Sequence, residues 1–536
     1  MAKRSLHASQ AGIQQAKKSF SRKGWTQEFL AYEVNQKTRQ PIWRFFSGRP
    51  IERHTFMEIC DILDLNWREI AENPPAEISE LFDQSQSKVW AINHLVQEVR
   101  SRRFDKIQDQ CGTLQLLDIS RPVKIDDIYI DVNILEEIPS LQWLEIADMQ
   151  SFTPEEFDRV GLGAVSQKQI PGINAAETYS KLRVLGKPGS GKSTFLQHLA
   201  IECNQGKFAA NHVPIFITLR DFADEARAVN DFSLLNYIDA QFLTSESSSP
   251  SAIETLLHEG RILLLLDGLD EVLKQDSNAV FKEVRRFAEK YQNNLFVVSC
   301  RTAAKNINLK GFTDVEIAAF TQEQIEIFAQ KWFTTLTQKN AEDGNEQALQ
   351  FIEKLDLPEN RLLRTLVVTP LFLHLACGVF HRQSKFPTKR TEFYKQCLDI
   401  LLFRWDEARG IERDEIYPGF LLPQKLRLLR HIAAATFEGG NYFFDQRTIV
   451  EYISDFICNL SNAPTEPEEL QQDSEVVLKA IELQHGLLTE RVRGIFSFSY
   501  LAFQEYFMAR KILASHNLQA LEQRLENLVC HITEPR

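Results

Sequence analysis

The sequence predicts a multidomain α/β protein, in which a parallel β-sheet occupies the middle of the chain and helical domains flank it. Three observations predict this fold. A glycine-rich loop lies between a strand and a helix at 181–200, an apolar run ending in acidic residues lies at 262–271, and the first fifty residues are basic and helical in pattern. Further apolar runs at 213–219 and 295–300 give the alternation of strands and helices that is typical of a parallel sheet.

The glycine-rich loop matches the phosphate-binding pattern GxxxxGK[ST]. An apolar strand precedes the loop and a helical run follows it, so the loop N–H groups and the positive end of the helix face the same anion. Lys192 is expected to bridge the β- and γ-phosphates, and Ser193 to offer its hydroxyl to Mg²⁺. A chance glycine-rich turn is the alternative. The predicted nucleotide-binding residues of the loop are Gly186, Lys187, Pro188, Gly189, Ser190, Gly191, Lys192, Ser193 and Thr194.

The second apolar run places carboxylates where a parallel sheet binds its ligands. Residues 262–266 are continuously apolar, as in a strand buried on both faces, and Asp267 ends the run. Asp267 is the expected Mg²⁺ partner, directly or through water. Asp270 and Glu271 are candidates to orient or deprotonate an attacking water. The alternative is an acidic turn after a core strand.

An arginine follows the last of these apolar runs. Arg301 comes directly after residues 295–300, and from a neighbouring strand end it would reach the γ-phosphate. We therefore include Arg301 with Asp270 and Glu271 among the catalytic candidates. The alternative is a salt bridge from Arg301 to Asp267 or Asp270.

The pairing of GKPGSGKST with LLLLDGLDEV resembles the NACHT class of STAND-type NTPases, which are related to animal NLR immune receptors and to bacterial anti-phage defence proteins. The resemblance covers about residues 160–512. It implies a P-loop NTPase core of the AAA+/STAND type with α-helical and winged-helix regulatory domains. The downstream stretches that carry it are FTQEQI at 320–325, TPL at 369–371, GLL at 486–488 and FSFSYLAFQEYF at 496–507.

The resemblance also assigns two nucleotide contacts outside the loop. Pro370 is expected to pack on the adenine of ATP or ADP. Tyr500 stands where many members carry a histidine that touches the β-phosphate of ADP. A phenol donates a hydrogen bond but carries no positive charge at neutral pH, so Tyr500 either holds ADP less tightly or packs in the core.

The motifs divide the chain into six predicted segments. Relatives usually continue into a large sensor domain, so we expect a truncated sequence, a short gene product or sensing by another part. The segments are a helix-turn-helix-like basic bundle at 1–73, a linker and pre-NACHT segment at 74–160, the NACHT nucleotide-binding domain at 161–319, a helical domain at 320–385, a winged-helix domain at 386–512 and a helical tail at 513–536.

The basic bundle has its own candidate partners. The chain has a formal net charge of −12, yet its first fifty residues are strongly basic. Their spacing resembles helix-turn-helix domains of the phage-repressor type, with helices at about 26–34 and 41–46. In a DNA complex Lys17 and Lys18 would contact phosphates, while Arg39 and Arg44 would face the major groove. Contact with another protein, or autoinhibition, is the alternative.

The composition of the chain limits which class of protein it can belong to. The longest uncharged run is shorter than a membrane span, and neither a signal peptide nor a CxxC pair is present, so we expect a cytoplasmic protein. The predicted function is an ATP/ADP switch with slow Mg²⁺-dependent hydrolysis. An unknown trigger would drive nucleotide exchange and homo-oligomerisation, and the resemblance implies anti-phage defence. The alternative is a nucleotide-regulated DNA-binding transcription regulator.

Overall fold

The computed structural model describes residues 5–34, 36, 38–72, 79–116, 119, 121–136, 169–243, 250–302, 309–336, 341–383, 385–387, 390–404, 420, 422–438, 442–460 and 466–514. The predicted linker at 73–76, the start of the predicted NACHT domain at 161–168 and the predicted tail helix beyond 514 lie outside the described residues. The chain divides into two compact units, Met1–His94 and Leu95–Arg536.

The first unit is a bundle of short helices joined by one small antiparallel sheet. The predicted helices at 26–34 and 41–46 are present as α2 and α3, and Thr26 caps α2 by accepting the Phe29 N–H at 3.2 Å. The elements are β1 (Ser5–Leu6), α1 (Gln10–Lys23), α2 (Gln27–Glu33), α3 (Gln40–Phe46), β2 (Ile51–Glu52), α4 (Arg53–Ile62) and α5 (Trp67–Ile70), followed by α6 (Ser79–Cys111), which continues into the second unit.

The second unit is organised around a seven-stranded sheet of order β6-β5-β11-β7-β10-β9-β8. Its strands are β5 (Asn133–Leu135), β6 (Gln169–Pro171), β7 (Lys181–Gly186), β8 (Val213–Thr218), β9 (Ile262–Asp267), β10 (Leu295–Arg301) and β11 (Thr313–Ile317). Strands β11, β7, β10, β9 and β8 are parallel, which confirms the predicted α/β core. Strands β5 and β6 add an antiparallel edge that we did not predict.

The register of the parallel strands brings their carboxyl ends to one edge. Thr218 lies opposite Asp267, and Arg301 lies opposite Gly186. Every residue of β9 is buried, as its unbroken apolar run predicts. The ends of β7, β8, β9 and β10 therefore converge, and the loops that follow them can share one ligand.

Most of the rest of the second unit is helical. Its helices between 322 and 513 lie in the segments where the resemblance implies regulatory domains, and we refer to them as the regulatory helices. The helices are α7 (Ile125–Ile128), α8 (Gly172–Thr178), α9 (Lys192–Asn204), α10 (Leu219–Val229), α11 (Leu234–Leu243), α12 (Pro250–His258), α13 (Lys274–Lys290), α14 (Gln322–Leu336), α15 (Ala341–Leu355), α16 (Arg361–Val367), α17 (Pro370–Gln383), α18 (Arg390–Asp399), α19 (Leu422–Glu438), α20 (Gln446–Ile457), α21 (Pro467–His485) and α22 (Leu501–Leu513), with 3₁₀ turns at Leu269–Glu271 and Pro358–Asn360 and a π-helical turn at Ile400–Arg404.

Two small sheets complete the unit. Strands β3 (Thr113–Leu114) and β4 (Val123–Lys124) pair before the main sheet. Strands β12 (Phe444–Asp445), β13 (Leu488–Val492) and β14 (Ile495–Phe498) form an antiparallel sheet in the order β12-β14-β13 among the last helices. One buried apolar cluster runs from β7 through α17 to α22, so the main sheet and the regulatory helices share a core. Within the described ranges, no helix has the length and apolarity needed to cross a membrane.

Candidate nucleotide-binding site

A cavity of about 1020 Å³ lies at the converging ends of the parallel strands. Its polar wall includes Lys192, Ser193, Asp267, Glu271 and Arg301. Its apolar wall comes from other parts of the unit: Leu116, Ile128, Ile130, Val132, Phe320, Phe328, Pro370 and Leu371. A mostly apolar cavity with a few convergent polar groups is typical of a small-molecule site.

The glycine-rich loop has the shape of a phosphate cradle. Gly191 has φ of 95° and directly precedes α9, whose first N–H groups point into the loop. Gly189 has φ of 76°, and a Cβ there would lie 2.6 Å from the Leu371 Cβ. The Gly189 carbonyl accepts the Leu371 N–H at 3.3 Å. Both glycines are needed, because a side chain would be strained at either position and would collide with α17 at one of them.

Lys192 is folded back onto its own loop. Its Nζ donates to the carbonyl oxygens of Gly186 at 2.8 Å and of Lys187 at 3.0 Å. Burial lowers the pKa of Lys192 from its usual 10.5 to about 8, and the negative charge of Asp270 offsets part of that shift. A phosphate in the cradle would supply the negative charge that this half-buried ammonium needs.

The serine of the loop and the carboxylate at the end of β9, the two candidate Mg²⁺ ligands, are hydrogen-bonded to each other. The Ser193 hydroxyl donates to Asp267 Oδ1 at 3.0 Å, and Asp267 is only 3% exposed. Among the described residues no three His, Cys, Asp or Glu side chains could together hold a metal ion. Oxygen donors that share a cation with phosphates and water are what Mg²⁺ prefers, so this pair fits Mg²⁺ bound with a nucleotide.

Asp270 and Glu271 differ in their surroundings. Asp270 Oδ1 accepts the Arg301 backbone N–H at 2.9 Å, and Asp270 Oδ2 lies 3.0 Å from Arg301 Nε. Glu271 lines the cavity and packs beside Gly268, where an added Cβ would lie 3.0 Å from a Glu271 carboxylate oxygen. Asp270 thus pairs with Arg301, and both Asp270 and Glu271 line the cavity, so both stay candidates to orient a water molecule.

Arg301 connects the end of β10 to the last turn of α21. Its Nη1 donates to the carbonyls of Leu483 and Gln484, each at 2.7 Å, and the residue is 4% exposed. The negative end of a helix dipole favours a cation at this position. The structure therefore shows the ion pair with Asp270 that we considered as the alternative, together with a link to α21 that we did not predict.

The regulatory helices touch the loop at three further points. Pro370 and Leu371, at the start of α17, border the cavity. A Cβ at Gly486 would lie 2.7 Å from Pro188, so the turn before β13 packs directly on the loop. Tyr500 lies behind the loop, where Lys187 Nζ is 5.4 Å from the centre of its ring.

Tyr500 is packed rather than directed into the cavity. It is 3% exposed, and its hydroxyl shares a hydrogen bond of 2.5 Å with Thr369 Oγ1. Its ring meets those of Phe372 and Phe503, each at 5.4 Å between centroids. The tyrosine thus ties the segment before α22 to the residue immediately before Pro370.

The segment before the main sheet supplies a wall that sequence reasoning missed. Ten of the described residues between Gln110 and Val132 line one side of the cavity. Tyr129 stacks on His198 of α9 with ring centroids 4.0 Å apart. Burial raises the pKa of Tyr129 and lowers that of His198, so both groups stay neutral at physiological pH. The alternation of apolar residues at 128–132 is the signal that could have identified this wall.

The four candidate nucleic-acid contacts lie in the first unit. Lys17 and Lys18 are exposed on α1, and Arg39 and Arg44 are exposed at α3. Arg39 pairs with Glu28 at 2.9 Å. Trp43 of α3 is 45% exposed, which is unusual for a side chain of its size.

Comparisons with known proteins agree with this geometry. Residues 180–335 match the NACHT domain, and residues 390–512 match the winged helix-turn-helix domain C-terminal to NACHT. The NLR family CARD domain-containing protein 4 of Bos taurus is 24% identical over 333 residues, and that of Mus musculus is 25% identical over 337. Each alignment covers 61% of this chain and 28% of the relative, so the chain spans less than a third of these relatives.

The matches among solved structures include replication initiation proteins. Domain III of the Thermotoga maritima replication initiation protein DnaA is 17% identical, with 45% of this chain and 95% of that chain covered. The TM-score of that match is 0.25. The two family matches show that the chain carries a NACHT domain at 180–335, followed at 390–512 by the winged helix-turn-helix domain that lies C-terminal to NACHT.

Proposed function

We propose that this NACHT protein is a molecular switch operated by ATP and ADP. In the proposal, ADP holds the nucleotide-binding core against the regulatory helices, and exchange for ATP releases them and permits homo-oligomerisation. Slow hydrolysis of ATP then resets the switch. The trigger for exchange is left open, and a role in cytoplasmic anti-phage defence rests on the family resemblance alone.

The observation that carries the proposal is that two regulatory helices, α17 and α21, meet the phosphate loop and Arg301. The start of α17 bonds to Gly189, the turn after α21 packs on Pro188, and the carbonyls that end α21 hold Arg301. A ligand shifts a conformational equilibrium only when its contacts differ between the two states. A γ-phosphate in this cradle would compete for Arg301, and it would therefore weaken the bond to α21.

The residues of the site have distinct roles in this scheme. Lys192 would leave the carbonyls of its own loop to meet the phosphates. Ser193 and Asp267 would hold Mg²⁺, which neutralises developing charge on the phosphates when it is bound. Glu271 would orient the attacking water and accept its proton. In this conformation Arg301 is paired with Asp270 and hydrogen-bonded to α21, and it would have to leave these partners to reach a γ-phosphate, which supports a slow rate.

The state of assembly gives the clearest test. Mass photometry of the full chain is expected to show monomers with Mg²⁺ and ADP, and larger species with a nonhydrolysable ATP analogue. The Lys192→Ala variant is the matched control, because it loses the phosphate contact and should stay monomeric with either nucleotide. Identical mass distributions for the wild type under both conditions would refute the switch.

A second candidate function is a DNA-binding regulator whose affinity the nucleotide controls. The arrangement of α2 and α3 in the first unit favours it, since the exposed Arg39, Trp43 and Arg44 share one short helical region. Gel shifts over a range of salt concentrations, with and without ATP, separate the two functions. Loss of sequence preference in all conditions would remove the regulator and leave the switch.

A further inference from the structure

We infer that Ser299 is the positioning residue for the metal-binding carboxylate of Asp267, and that it sets how tightly the site holds Mg²⁺ together with a nucleotide. The inference rests on the proposed function. Ser299 stands in the middle of β10, two residues before Arg301, and no motif in the sequence marks it.

A directed chain of hydrogen bonds passes through this serine. Ser299 is 1% exposed, and its Oγ lies 2.5 Å from Asp267 Oδ1 and 2.8 Å from the Gly268 nitrogen. A backbone N–H can only donate, so the Ser299 oxygen accepts from Gly268. The single hydroxyl proton must then point at Asp267. This arrangement fixes both the rotamer of Ser299 and the orientation of the carboxylate.

Asp267 Oδ1 accepts hydrogen bonds from two serine hydroxyls, and Ser299 differs from the second of them, Ser193. Ser193 also donates to Asp267 Oδ1, but Ser193 belongs to the phosphate loop and is itself a candidate Mg²⁺ ligand. Ser299 sits on β10, which is hydrogen-bonded to β9 on one side and to β7 on the other. Its hydroxyl is therefore a fixed donor that does not move with the nucleotide.

One strand in this way orients two of the three carboxylates between residues 267 and 271. Side chains two residues apart on a strand lie on the same face of the sheet, so Ser299 and Arg301 share one face of β10. Ser299 holds Asp267, and Arg301 holds Asp270. Partners of metal ligands tune metal affinity in this manner, and their loss typically weakens it about tenfold to a hundredfold.

A purely structural serine would give a different result. If Ser299 only satisfies the Gly268 N–H, its removal destabilises the fold without changing how nucleotide binding depends on metal. The test therefore compares the full-length wild type with Ser299→Ala and Ser299→Thr. A fluorescent ADP analogue reports binding in EDTA and over a Mg²⁺ titration, and thermal unfolding in EDTA reports folding.

We expect Ser299→Ala to need about tenfold to a hundredfold more Mg²⁺ for half-maximal metal-dependent binding. Its nucleotide affinity in EDTA should stay within about twofold of the wild type, because no loop contact changes. Ser299→Thr keeps the hydroxyl and should restore the wild-type requirement. Ser474→Ala removes an equally buried serine hydroxyl from α21 and should leave the requirement unchanged.

Two outcomes would overturn the inference. The first is a folded Ser299→Ala protein with the wild-type Mg²⁺ requirement. The second is an equal loss of affinity in EDTA and in Mg²⁺. Should Ser299→Ala fail to fold, Ser299→Cys keeps a weaker donor of similar size, and a wild-type requirement in that variant would also count against the inference. A wild type that binds no nucleotide in any condition would instead refute the proposed function.

Discussion

Arg301 offers the most direct test of how the core is held to the regulatory helices. Replacing it with alanine removes two charge-assisted hydrogen bonds to α21 and the buried ion pair with Asp270. Hydrogen bonds to a charged group contribute about 1.5–3 kcal/mol each. Breaking a buried ion pair by removing one partner costs about 3–5 kcal/mol.

These contributions overlap because one side chain makes all of the contacts, so they are not summed. Taking about 3 kcal/mol as the loss for the closed state, the equilibrium between closed and open forms should shift by about 100-fold toward opening, at 1.4 kcal/mol per factor of ten. Hydrogen exchange with ADP present would measure the shift. Amides of the residues that follow α21, including Leu487 and Leu488, should exchange about 100 times faster in Arg301→Ala.

Arg285 provides the matched control for this experiment. It makes an exposed pair with Glu289 at 3.0 Å within α13, a contact that contributes about 0.3–0.5 kcal/mol. Arg285→Ala should therefore leave exchange after α21 unchanged. Asp270→Asn removes the ion pair but keeps the bonds to the α21 carbonyls, and it should give an intermediate rate. Unchanged protection after α21 in Arg301→Ala would refute the reasoning.

Three further predictions concern single groups of the site. Because burial lowers the pKa of Lys192 to about 8, the free protein must take up a proton to bind phosphate above that pH. Nucleotide affinity should be level below pH 8 and fall about tenfold per pH unit above it; a flat titration profile from pH 7 to 10 would count against this. Glu271→Gln should slow single-turnover ATP hydrolysis about 10²- to 10⁴-fold while ATP stays bound, and an unaltered rate would exclude Glu271 as the base. Tyr500→Phe should lower the free energy of unfolding by about 1 kcal/mol through the lost Thr369 bond, and in a double-mutant cycle Thr369→Val should be non-additive with it. If urea denaturation gave strictly additive losses of unfolding free energy for the two substitutions, the coupling between Tyr500 and Thr369 would be refuted.

Short sequence patterns predicted those parts of the site that are built from residues close together in the chain. The loop from Gly186 to Ser193 has its strand and helix beside it in the chain, so its geometry follows from neighbouring residues. The buried strand that ends in Asp267 follows from an unbroken apolar run. Pairing the two motifs at one edge needed only the rule that parallel strands align their carboxyl ends.

The remaining contacts join residues that are far apart in the sequence. Arg301 bonds to a carbonyl 182 positions away, and Thr369 to a hydroxyl 131 positions away. A backbone carbonyl has no sequence signature, so the partner of Arg301 could not be predicted. Ser299 was missed because a single serine within an apolar strand gives no sign of a functional role. The wall formed by residues 110–132 was missed because short strands and turns carry weak periodicity.

The central claim is that the loop from Gly186 to Ser193 binds a nucleotide together with Mg²⁺. Isothermal titration calorimetry of the folded full-length chain, with ADP and ATP in the presence of Mg²⁺, tests it most directly. The account predicts saturable binding at one site per chain, and loss of that binding in Lys192→Ala. A folded wild type that binds neither nucleotide, or a Lys192→Ala variant with unchanged affinity, would contradict it.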